Sequence, residues 1–288
     1  TLRSPRFWLL AFLTLAPTVV TAGEYALVGD AGHWNSFTRK VRDAIQGAGI
    51  LDLVMPGDNL YEGDSYEVPW SPWRSHGFRF PVVAIGNHHG GYAREIAYFN
   101  LPGEYYSVRP EPGVLFIVLN SNHQKIANEQ ARFLEQELSS SRESLIFVVF
   151  HHPLVTLTEN HEWTEKEVFH RATTPILLNH RSKITALLLG HDHIAAWFEV
   201  GGLPTFVSGA THEALDPGPA PTVQRGLRVK ERFIGPAVPQ WIKLNTDAPK
   251  KTAVFEIVRA DTGDMECRVT LSRQGSRTNQ QSEHCQNE

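Results

Sequence analysis

The sequence predicts a single α/β domain. Short apolar runs alternate with stretches of helical periodicity over most of the 288 residues. The first two strands, at 25–28 and 51–55, flank a helix, and such a βαβ unit places its strands side by side and parallel. No shift in composition divides the chain into two cores. Its 41% hydrophobic and 20% charged residues are ordinary for a globular protein, so we expect a core that can hold a rigid site.

The apolar periodicity predicts the elements in chain order. The first helix, over 35–49, begins at Asn35 or Ser36, which are favourable N-caps, and ends at Gly47 or Gly49. Further strands are predicted at 81–85, 105–108, 114–119, 145–150, 186–189, 195–200 and 204–208, and further helices at 92–99, 130–138 and 173–180.

The remaining segments follow other patterns. Residues 62–80 are irregular and rich in aromatic side chains, which indicates either the rim of a pocket or a long loop anchored on the core. Residues 211–252 have little periodicity and many prolines, so we expect a long loop there. A hairpin is predicted at 253–258 and 266–271, and the polar residues 273–288 should form a frayed tail.

Residues 1–22 differ in kind from the rest. Arg3 and Arg6 precede an almost wholly apolar run from 7 to 20, and small residues follow up to Ala22. This pattern indicates a secretory signal peptide. A membrane anchor is the alternative, but the run is short for crossing a bilayer and Pro17 interrupts it. We therefore expect a secreted or periplasmic protein without a stable membrane anchor.

Charge and cysteine content narrow the function classes. Removing Arg3 and Arg6 with the signal peptide leaves 25 basic residues against 31 acidic ones, a net charge of −6. A broad basic face for nucleic acid is therefore not expected. Cys267 and Cys285 are the only two cysteines. A disulfide between them suits an exported protein, and two free thiols in the tail are the alternative.

Five of the predicted strands end in side chains that bind metals. They are Asp30 after 25–28, Asp58 after 51–55, Asn87 with His88 after 81–85, His151 after 145–150, and His191 with His193 after 186–189. One such residue alone is weak evidence, because Asp and Asn are common in loops and a lone histidine is usually hydrogen-bonded. Together, at the sheet edge where α/β folds bind ligands, they predict a site for two metal ions.

The order of these motifs resembles the calcineurin-like metallophosphoesterases and, within them, the purple acid phosphatase branch. The matching segments, within residues 25–210, are Asp30-Ala31-Gly32, Gly57-Asp58-Asn59-Leu60-Tyr61, Gly86-Asn87-His88, Val148-Val149-Phe150-His151 and Gly190-His191-Asp192-His193. Most superfamily members carry Asp-x-His in the first motif. Here Gly32 takes the place of that histidine, and Tyr61 supplies the missing ligand, as in the acid phosphatase pattern.

The resemblance implies a fold and a pair of metals. The fold would have two mixed β-sheets packed face to face with flanking helices, as a catalytic domain at 23–272 between the signal peptide and the tail at 273–288. Asp58 would bridge the two metals. One metal, typically Fe(III), would be held by Asp30, Tyr61 and His193, and the other, Fe(II), Zn(II) or Mn(II), by Asn87, His151 and His191. A phenolate on Fe(III) would colour the protein.

The resemblance also implies a reaction, the hydrolysis of a small phosphate ester in which a metal-bound hydroxide attacks phosphorus. His88 and His161 match the substrate-facing histidines, which bind the phosphoryl group or protonate the leaving oxygen. For His161, an ordinary surface position is the alternative. His89 departs from the family, in which an acidic residue usually follows Gly-Asn-His, and His152 is expected to pack or hydrogen-bond beside His151.

The leading hypothesis is therefore an exported phosphomonoesterase of the acid phosphatase type. A phosphodiesterase or a di-manganese phosphatase on the same scaffold is the nearest alternative. A protein that binds metal or phosphate without catalysis belongs to a different class, and His89 is the feature that favours it. His33, His123 and His212 lie near motif ends and receive no role.

Overall fold

The computed structural model describes residues 22–63, 65–158, 167–217, 223–274 and 277–285. The first part of this chain forms β1 (Gly23–Leu27), α1 (Ser36–Gly47), β2 (Asp52–Met55), α2 (Glu67–Arg74), β3 (Arg79–Val83), α3 (Tyr92–Phe99), β4 (Tyr106–Val108), β5 (Val114–Val118), α4 (Ala127–Ser140) and β6 (Leu145–Val149). The second part forms α5 (Glu167–Asn179), β7 (Ala186–Leu189), β8 (Ala195–Val200), β9 (Leu203–Ser208), β10 (Val223–Gln224), β11 (Leu227–Ile234), β12 (Gln240–Asp247), β13 (Thr252–Arg259), β14 (Met265–Gln274) and β15 (Arg277–Cys285).

These strands form two mixed sheets. The first has the order β15-β14-β13-β12-β1-β2-β3, and the second has the order β10-β11-β8-β9-β7-β6-β5-β4. Strands β1, β2 and β3 are parallel, as are β5, β6, β7 and β9, whereas the remaining pairs are antiparallel. The prediction of an α/β fold with two mixed sheets is confirmed.

The main core lies between the two sheets. Phe206 of β9 stacks on Phe255 of β13 with 3.8 Å between ring centroids, and Phe147 of β6 meets the same ring edge-on. Because β13 belongs to the first sheet and β6 and β9 to the second, these rings join the sheets face to face. Separate apolar clusters lie on the outer faces, under α1 and α2 on one side and under α4 and α5 on the other. The site is therefore built on a rigid four-layer support.

The first βαβ unit forms as predicted. Asn35 caps α1, and its side-chain oxygen accepts hydrogen bonds from the backbone N–H groups of Phe37 and Thr38 at 2.9 and 3.0 Å. Strands β1 and β2 pair in parallel, with Leu27 opposite Val54. The predicted helix 92–99 also has the observed bounds of α3.

The aromatic stretch 62–80 anchors a segment on the core. It contains α2, in which Trp70 and Trp73 are completely buried. The indole N–H of Trp70 donates to the carbonyl oxygen of Asn59 at 2.8 Å. The tryptophans therefore do not line the rim of a pocket. Instead, they hold the loop that carries Asp58.

The prediction of a long loop over 211–252 was wrong, because β10, β11 and β12 lie in this range. Strand β12 pairs with β1 on one side and with β13 on the other. Its buried residues Ile242, Leu244 and Thr246 alternate with Lys243 and Asn245, which is the period of a half-buried strand. The alternation is short and follows a run of prolines, which hid it in the sequence.

The prediction of a frayed tail over 273–288 was also wrong for the described residues of this range. Strand β14 continues to Gln274, and β15 pairs with it antiparallel. Cys267 lies directly opposite Cys285, and the two are joined by a disulfide. Polar residues suffice for this edge strand, because main-chain pairing and the disulfide hold it. Among the helices in the described ranges, none has both the length and the apolar composition needed to cross a bilayer.

Candidate metal centre

Strand ends from both sheets bring the predicted ligands together. Asp30, Asp58 and Asn87 follow β1, β2 and β3 of the first sheet, whereas the predicted histidine ligands follow β6 and β7 of the second. The two groups are named here by their distinctive residue. The tyrosine side is Asp30, Tyr61 and His193, the asparagine side is Asn87, His151 and His191, and Asp58 lies between them.

The tyrosine side is compact. The Tyr61 hydroxyl lies 3.1 Å from Oδ1 of Asp30, 2.9 Å from Oδ2 of Asp58 and 3.0 Å from Nε2 of His193. The same His193 nitrogen lies 3.4 Å from Oδ1 of Asp30. One ligand atom from each of Asp30, Asp58 and His193 lies within 4.8 Å of the others, a spacing that suits a bound cation.

The asparagine side meets the other oxygen of Asp58. Nε2 of His151 lies 3.1 Å from Oδ1 of Asp58 and 3.1 Å from Oδ1 of Asn87. Nδ1 of His151 lies 3.1 Å from the carbonyl oxygen of Pro56, which can only accept, so this nitrogen carries the proton. The His191 ring lies 5.1 Å from that of His151, between centroids. Asp58 thus presents one oxygen to each side, although its role as a bridging ligand stays a prediction.

Three of these residues have an unusual backbone conformation. Asp30, Asp58 and His191 have φ angles of 56°, 56° and 73°, in the left-handed region that non-glycine residues seldom adopt. Hydrogen bonds hold them: Asp30 accepts from the backbone N–H of His191 at 2.9 Å, and Asp58 from that of His88 at 2.8 Å. Such conformations persist where surrounding contacts enforce them, which is typical of functional sites.

Close packing around the carboxylates requires glycine at two motif positions. A Cβ at Gly190 would lie 2.7 Å from Oδ2 of Asp30, and a Cβ at Gly86 would overlap the side chain of Asp58. Gly86 and Gly190 therefore allow the neighbouring strands to approach the carboxylates.

Burial and neighbouring charges shift the pKa values of the side chains at this centre. Burial would raise the pKa of Asp58, but the charge of His151 opposes this and holds that pKa well below its usual value. Burial would lower the pKa of His151, but Asp58 raises it to about 9. Burial and the anions Asp30 and Asp58 raise the pKa of Tyr61 well above 10. Two carboxylates, a phenol and imidazoles within about 3 Å form a donor set that suits hard and borderline metal ions.

The predicted substrate-facing histidines are only partly described. His88 is exposed, and its ring stacks on that of Tyr61 with 4.5 Å between centroids. His161 lies outside the described residues, so its role stays a prediction. The His89 ring stacks on that of Tyr92 with 4.5 Å between centroids. His152 is buried, and its Nδ1 lies 2.8 Å from Oγ of Ser121, which is consistent with the predicted packing or hydrogen-bonding role.

A buried acid beneath Asp58 was missed by the sequence reasoning. Glu95 of α3 is completely buried and accepts hydrogen bonds from Asn59 at 2.6 Å and from the Tyr66 hydroxyl at 2.8 Å. Burial raises the pKa of Glu95 to about 7. This network fixes Asn59, the residue after Asp58. The sequence gives no signal for it, because an acidic residue on an amphipathic helix normally faces solvent.

A second buried acid, Asp192, lies between the two histidines of the last motif. It accepts a hydrogen bond from the Thr156 hydroxyl at 2.8 Å and one from the Leu157 backbone N–H at 2.8 Å. Asp192 therefore ties the segment after His151 to the loop that carries His191 and His193.

A sixth strand end also reaches the centre. Strand β9 is parallel to β7, and the Ser208 carbonyl accepts a hydrogen bond from Gly29 beside Asp30. The chain continues from β9 to His212 and Glu213, which contact the tyrosine side. The signal was available, because the predicted strand 204–208 precedes these residues as the other five strands precede theirs.

Comparisons with known proteins identify the fold. No family model and no curated protein matches the sequence. Among solved structures, GAP50, the anchor in the inner membrane complex of Plasmodium, superposes with a TM-score of 0.69 at 13% identity, over 88% of this chain and 90% of that one. Purple acid phosphatase PPD1 from yellow lupin (Lupinus luteus) superposes with a TM-score of 0.67 at 16% identity, over 88% of this chain.

The described chain spans only 54% of the lupin phosphatase. PhoD superposes with a TM-score of 0.59 at 11% identity, over 91% of this chain and 72% of that one. At such identities the superpositions establish the fold alone, and they agree with the resemblance that the motifs indicate. The chain has the fold of the calcineurin-like metallophosphoesterases.

Proposed function

We propose that the protein is an exported phosphohydrolase with two metal ions, acting as a phosphomonoesterase of the acid phosphatase type. The observation that carries this proposal is the position of Asp58, whose two oxygens face two different groups of ligand side chains at 2.9 and 3.1 Å. A carboxylate so placed suits a pair of ions about 3.5–4 Å apart. The fold supports the same conclusion.

The residues present fit two ions of different character. The tyrosine side would hold Fe(III), since two carboxylates and a phenolate are hard anionic ligands, and the asparagine side would hold Fe(II), Zn(II) or Mn(II). When bound, the ions would activate water and neutralise the charge that develops on the phosphoryl oxygens. Position 32 is a glycine where most members of the superfamily have a histidine, which favours Tyr61 as a ligand on the tyrosine side.

The chain's own residues would bind the ester and protonate the leaving oxygen. His88 is exposed, and its backbone N–H is held by Asp58 while its ring rests on Tyr61. An imidazole fixed at the entrance can donate a hydrogen bond to a phosphoryl oxygen or a proton to the departing alcohol. His161 is proposed for the same task.

Export is proposed from residues 1–22 and is consistent with the disulfide between Cys267 and Cys285, since disulfides persist in oxidising compartments. N-terminal sequencing of the mature protein would test it. A mature chain that begins near Gly23 is the expected result, and retention of residues 1–22 would contradict it.

The nearest alternative is a phosphodiesterase or a di-manganese phosphatase on the same scaffold. Turnover of an aryl phosphate against a bis-aryl phosphate, with metal analysis of the same sample, separates these activities. The proposal expects the monoester to be the better substrate and iron to be present. A preference for the diester, or activity with manganese alone, would favour the alternative.

A protein that binds metal or phosphate without catalysis is the candidate from another class. GAP50, which has the same fold, is the anchor in the inner membrane complex of Plasmodium, so a protein of this fold can serve as an anchor. His89, in place of the acidic residue usual in the family, is the feature of this chain that favours such a role. This candidate predicts bound metal and no hydrolysis of any aryl phosphate.

The deciding experiment compares two substitutions. Asp58→Ala should remove both metals and all activity, because it deletes the carboxylate that both sides share. His88→Ala should keep both metals and reduce kcat, because His88 contacts the substrate and not the ions. Asp52→Ala is the matched control, since Asp52 begins the strand that precedes Asp58 and its carboxylate pairs with Arg79. Unchanged hydrolysis by Asp58→Ala would contradict the proposal.

A further inference from the structure

The segment Thr211, His212 and Glu213, called here the 211–213 segment, follows β9 and has no part in the reaction proposed above. It contacts each residue of the tyrosine side. His212 contacts Asp30 and Tyr61, and Glu213 contacts His193. The contacts are of three kinds, a hydrogen bond, a ring contact and an ion pair.

The hydrogen bond supports Asp30. Nδ1 of His212 lies 2.6 Å from the carbonyl oxygen of Asp30, which can only accept, so the imidazole donates. The segment is itself anchored, because the Asn35 side chain at the start of α1 donates to the carbonyl oxygen of His212 at 2.7 Å. The 211–213 segment thus holds Asp30 in its left-handed conformation, in addition to the hydrogen bond from His191.

The ring contact supports Tyr61. The His212 ring lies 4.1 Å from the Tyr61 ring, between centroids, and 4.8 Å from that of His193. His212 is largely buried and therefore restricts the directions in which the phenol can point. A ligand whose rotamer is fixed loses less entropy when it binds an ion.

The ion pair supports His193. Oε2 of Glu213 lies 3.4 Å from Nδ1 of His193, while Nε2 of the same ring faces Asp30 and Tyr61. At this distance the contact is an ion pair and not a hydrogen bond. A carboxylate that accepts the proton of the far nitrogen of a metal-binding histidine fixes the tautomer and makes the near nitrogen a stronger donor, and Glu213 is placed to do so. On the asparagine side, His151 meets the neutral carbonyl of Pro56 instead.

We propose that the 211–213 segment selectively strengthens the binding of the ion on the tyrosine side, with Glu213 positioning His193 and His212 positioning Asp30 and Tyr61. The inference rests on the proposed function, because it needs two ions. Glu213 and His212 are positioning residues and need not contact either ion. The consequence is a centre in which the ion on the tyrosine side is retained partly through the 211–213 segment.

The test is the rate at which each metal leaves. Full-length wild-type protein and Glu213→Gln, each loaded with its metals, are mixed with EDTA, and retained metals are measured by elemental analysis over time. Glu213→Gln should lose one of its two equivalents about 10–100-fold faster and the other at the wild-type rate. Glu213→Asp should lie between the two. If Tyr61 binds Fe(III), its absorption band decays with the faster equivalent.

Glu135→Gln is the matched control. Glu135 pairs with His180 at 2.9 Å, on the surface where α4 meets the end of α5. The substitution therefore removes a carboxylate–histidine pair that lies away from the metal centre. It should release both metals at the wild-type rate. Glu213 is exposed, so its substitution should not unfold the protein.

Four results would overturn the inference. Equal release from Glu213→Gln and wild type would remove the role of Glu213 and leave the phosphohydrolase standing. Equal acceleration of both metals would remove the selectivity. A third metal equivalent that only Glu213→Gln abolishes would make His193, His212 and Glu213 ligands of a further ion. Wild-type protein that holds no metal would overturn the proposed function as well.

Discussion

The two sides of the candidate centre are supported in different ways. On the asparagine side, His151 is completely buried and its outer nitrogen meets a main-chain carbonyl. On the tyrosine side, the outer nitrogen of His193 meets Glu213, whose side chain is 55% exposed. A substitution can remove the Glu213 carboxylate, whereas no substitution removes the main-chain carbonyl that His151 meets. On the tyrosine side, a substitution can therefore change how tightly one ion is held without disturbing the other.

Among the changes that distinguish the two sides, the largest expected effect comes from removing a histidine from either side. His151→Ala and His193→Ala should each keep one of two metal equivalents, and the metals they keep should differ. Each should reduce turnover by more than about a hundredfold, because both ions are needed to clamp the phosphoryl group. Elemental analysis with an aryl phosphate assay measures both quantities. Two variants that lose the same metal would break the division into sides.

Tyr61→Phe should act on the tyrosine side alone. It removes the phenol oxygen that lies within 3.1 Å of Asp30, Asp58 and His193, so that ion should bind at least about tenfold more weakly. Any violet absorption band should disappear, while the metal of the asparagine side stays. The control is Tyr98→Phe, whose hydroxyl donates to Glu67 at 3.4 Å on the surface. A violet Tyr61→Phe protein would remove Tyr61 as the ligand.

In the metal-free protein, the asparagine side should make stability depend on pH. The pKa of His151 is raised from 6.5 to about 9, so the folded state binds this proton more tightly. Its contribution is complete below about pH 6.5 and is lost as the pH rises through 9. The pKa of Asp58 is lowered, so its contribution is present above its usual pKa of 3.8 and is lost as the solution becomes strongly acid.

Thermal unfolding of metal-free protein between pH 6.5 and 9.5 measures this effect. The midpoint should fall with rising pH in the wild type and should change less in His151→Gln. Metal binding should also release a proton over this range, because a ligating imidazole must give up its second proton. The same slope in both proteins would show that His151 does not carry the effect.

The smallest expected effect tests the hydrogen bond on Asp30. His212→Phe keeps a ring against Tyr61 but loses the donor to the Asp30 carbonyl. Since such a bond contributes about 0.5–1.5 kcal/mol, the ion on the tyrosine side should be retained about 2–10-fold less well. Release into EDTA, followed as for Glu213→Gln, gives the value. Faster release of the metal on the asparagine side would contradict the selective support.

Sequence reasoning predicted which side chains converge better than it predicted the later strands, while the roles of those side chains as ligands stay predictions. The ligands lie directly after apolar runs, and parallel strands carry their ends to one edge, so local patterns place Asp30, Asp58 and His151 near one another. The same reasoning applied to 204–208 would have drawn attention to His212 and Glu213. Glu95 could not be found this way, because its burial depends on contacts with Asn59 and Tyr66 that only the folded chain supplies.

The misjudged strands failed for a related reason. Strand β12 lies between β1 and β13, more than 200 residues from its first partner in sequence. Strand β15 consists of polar residues, and its pairing with β14 rather than an apolar pattern defines it. For β12 the partner β1 is remote in the sequence, whereas β15 pairs with the strand directly before it but lacks the apolar pattern that predicts a strand. Residues 1–21 of the predicted signal peptide and His161 lie outside the described residues, so the signal peptide and the role of His161 stay predictions.

The most direct test of the dinuclear centre is anomalous diffraction from crystals of the purified protein, with data collected at the absorption edges of the metals found by elemental analysis. We expect two peaks about 3.5–4 Å apart on either side of Asp58, the iron peak beside Tyr61 and His193. A single peak, or ions bound away from Asp58, would contradict the account.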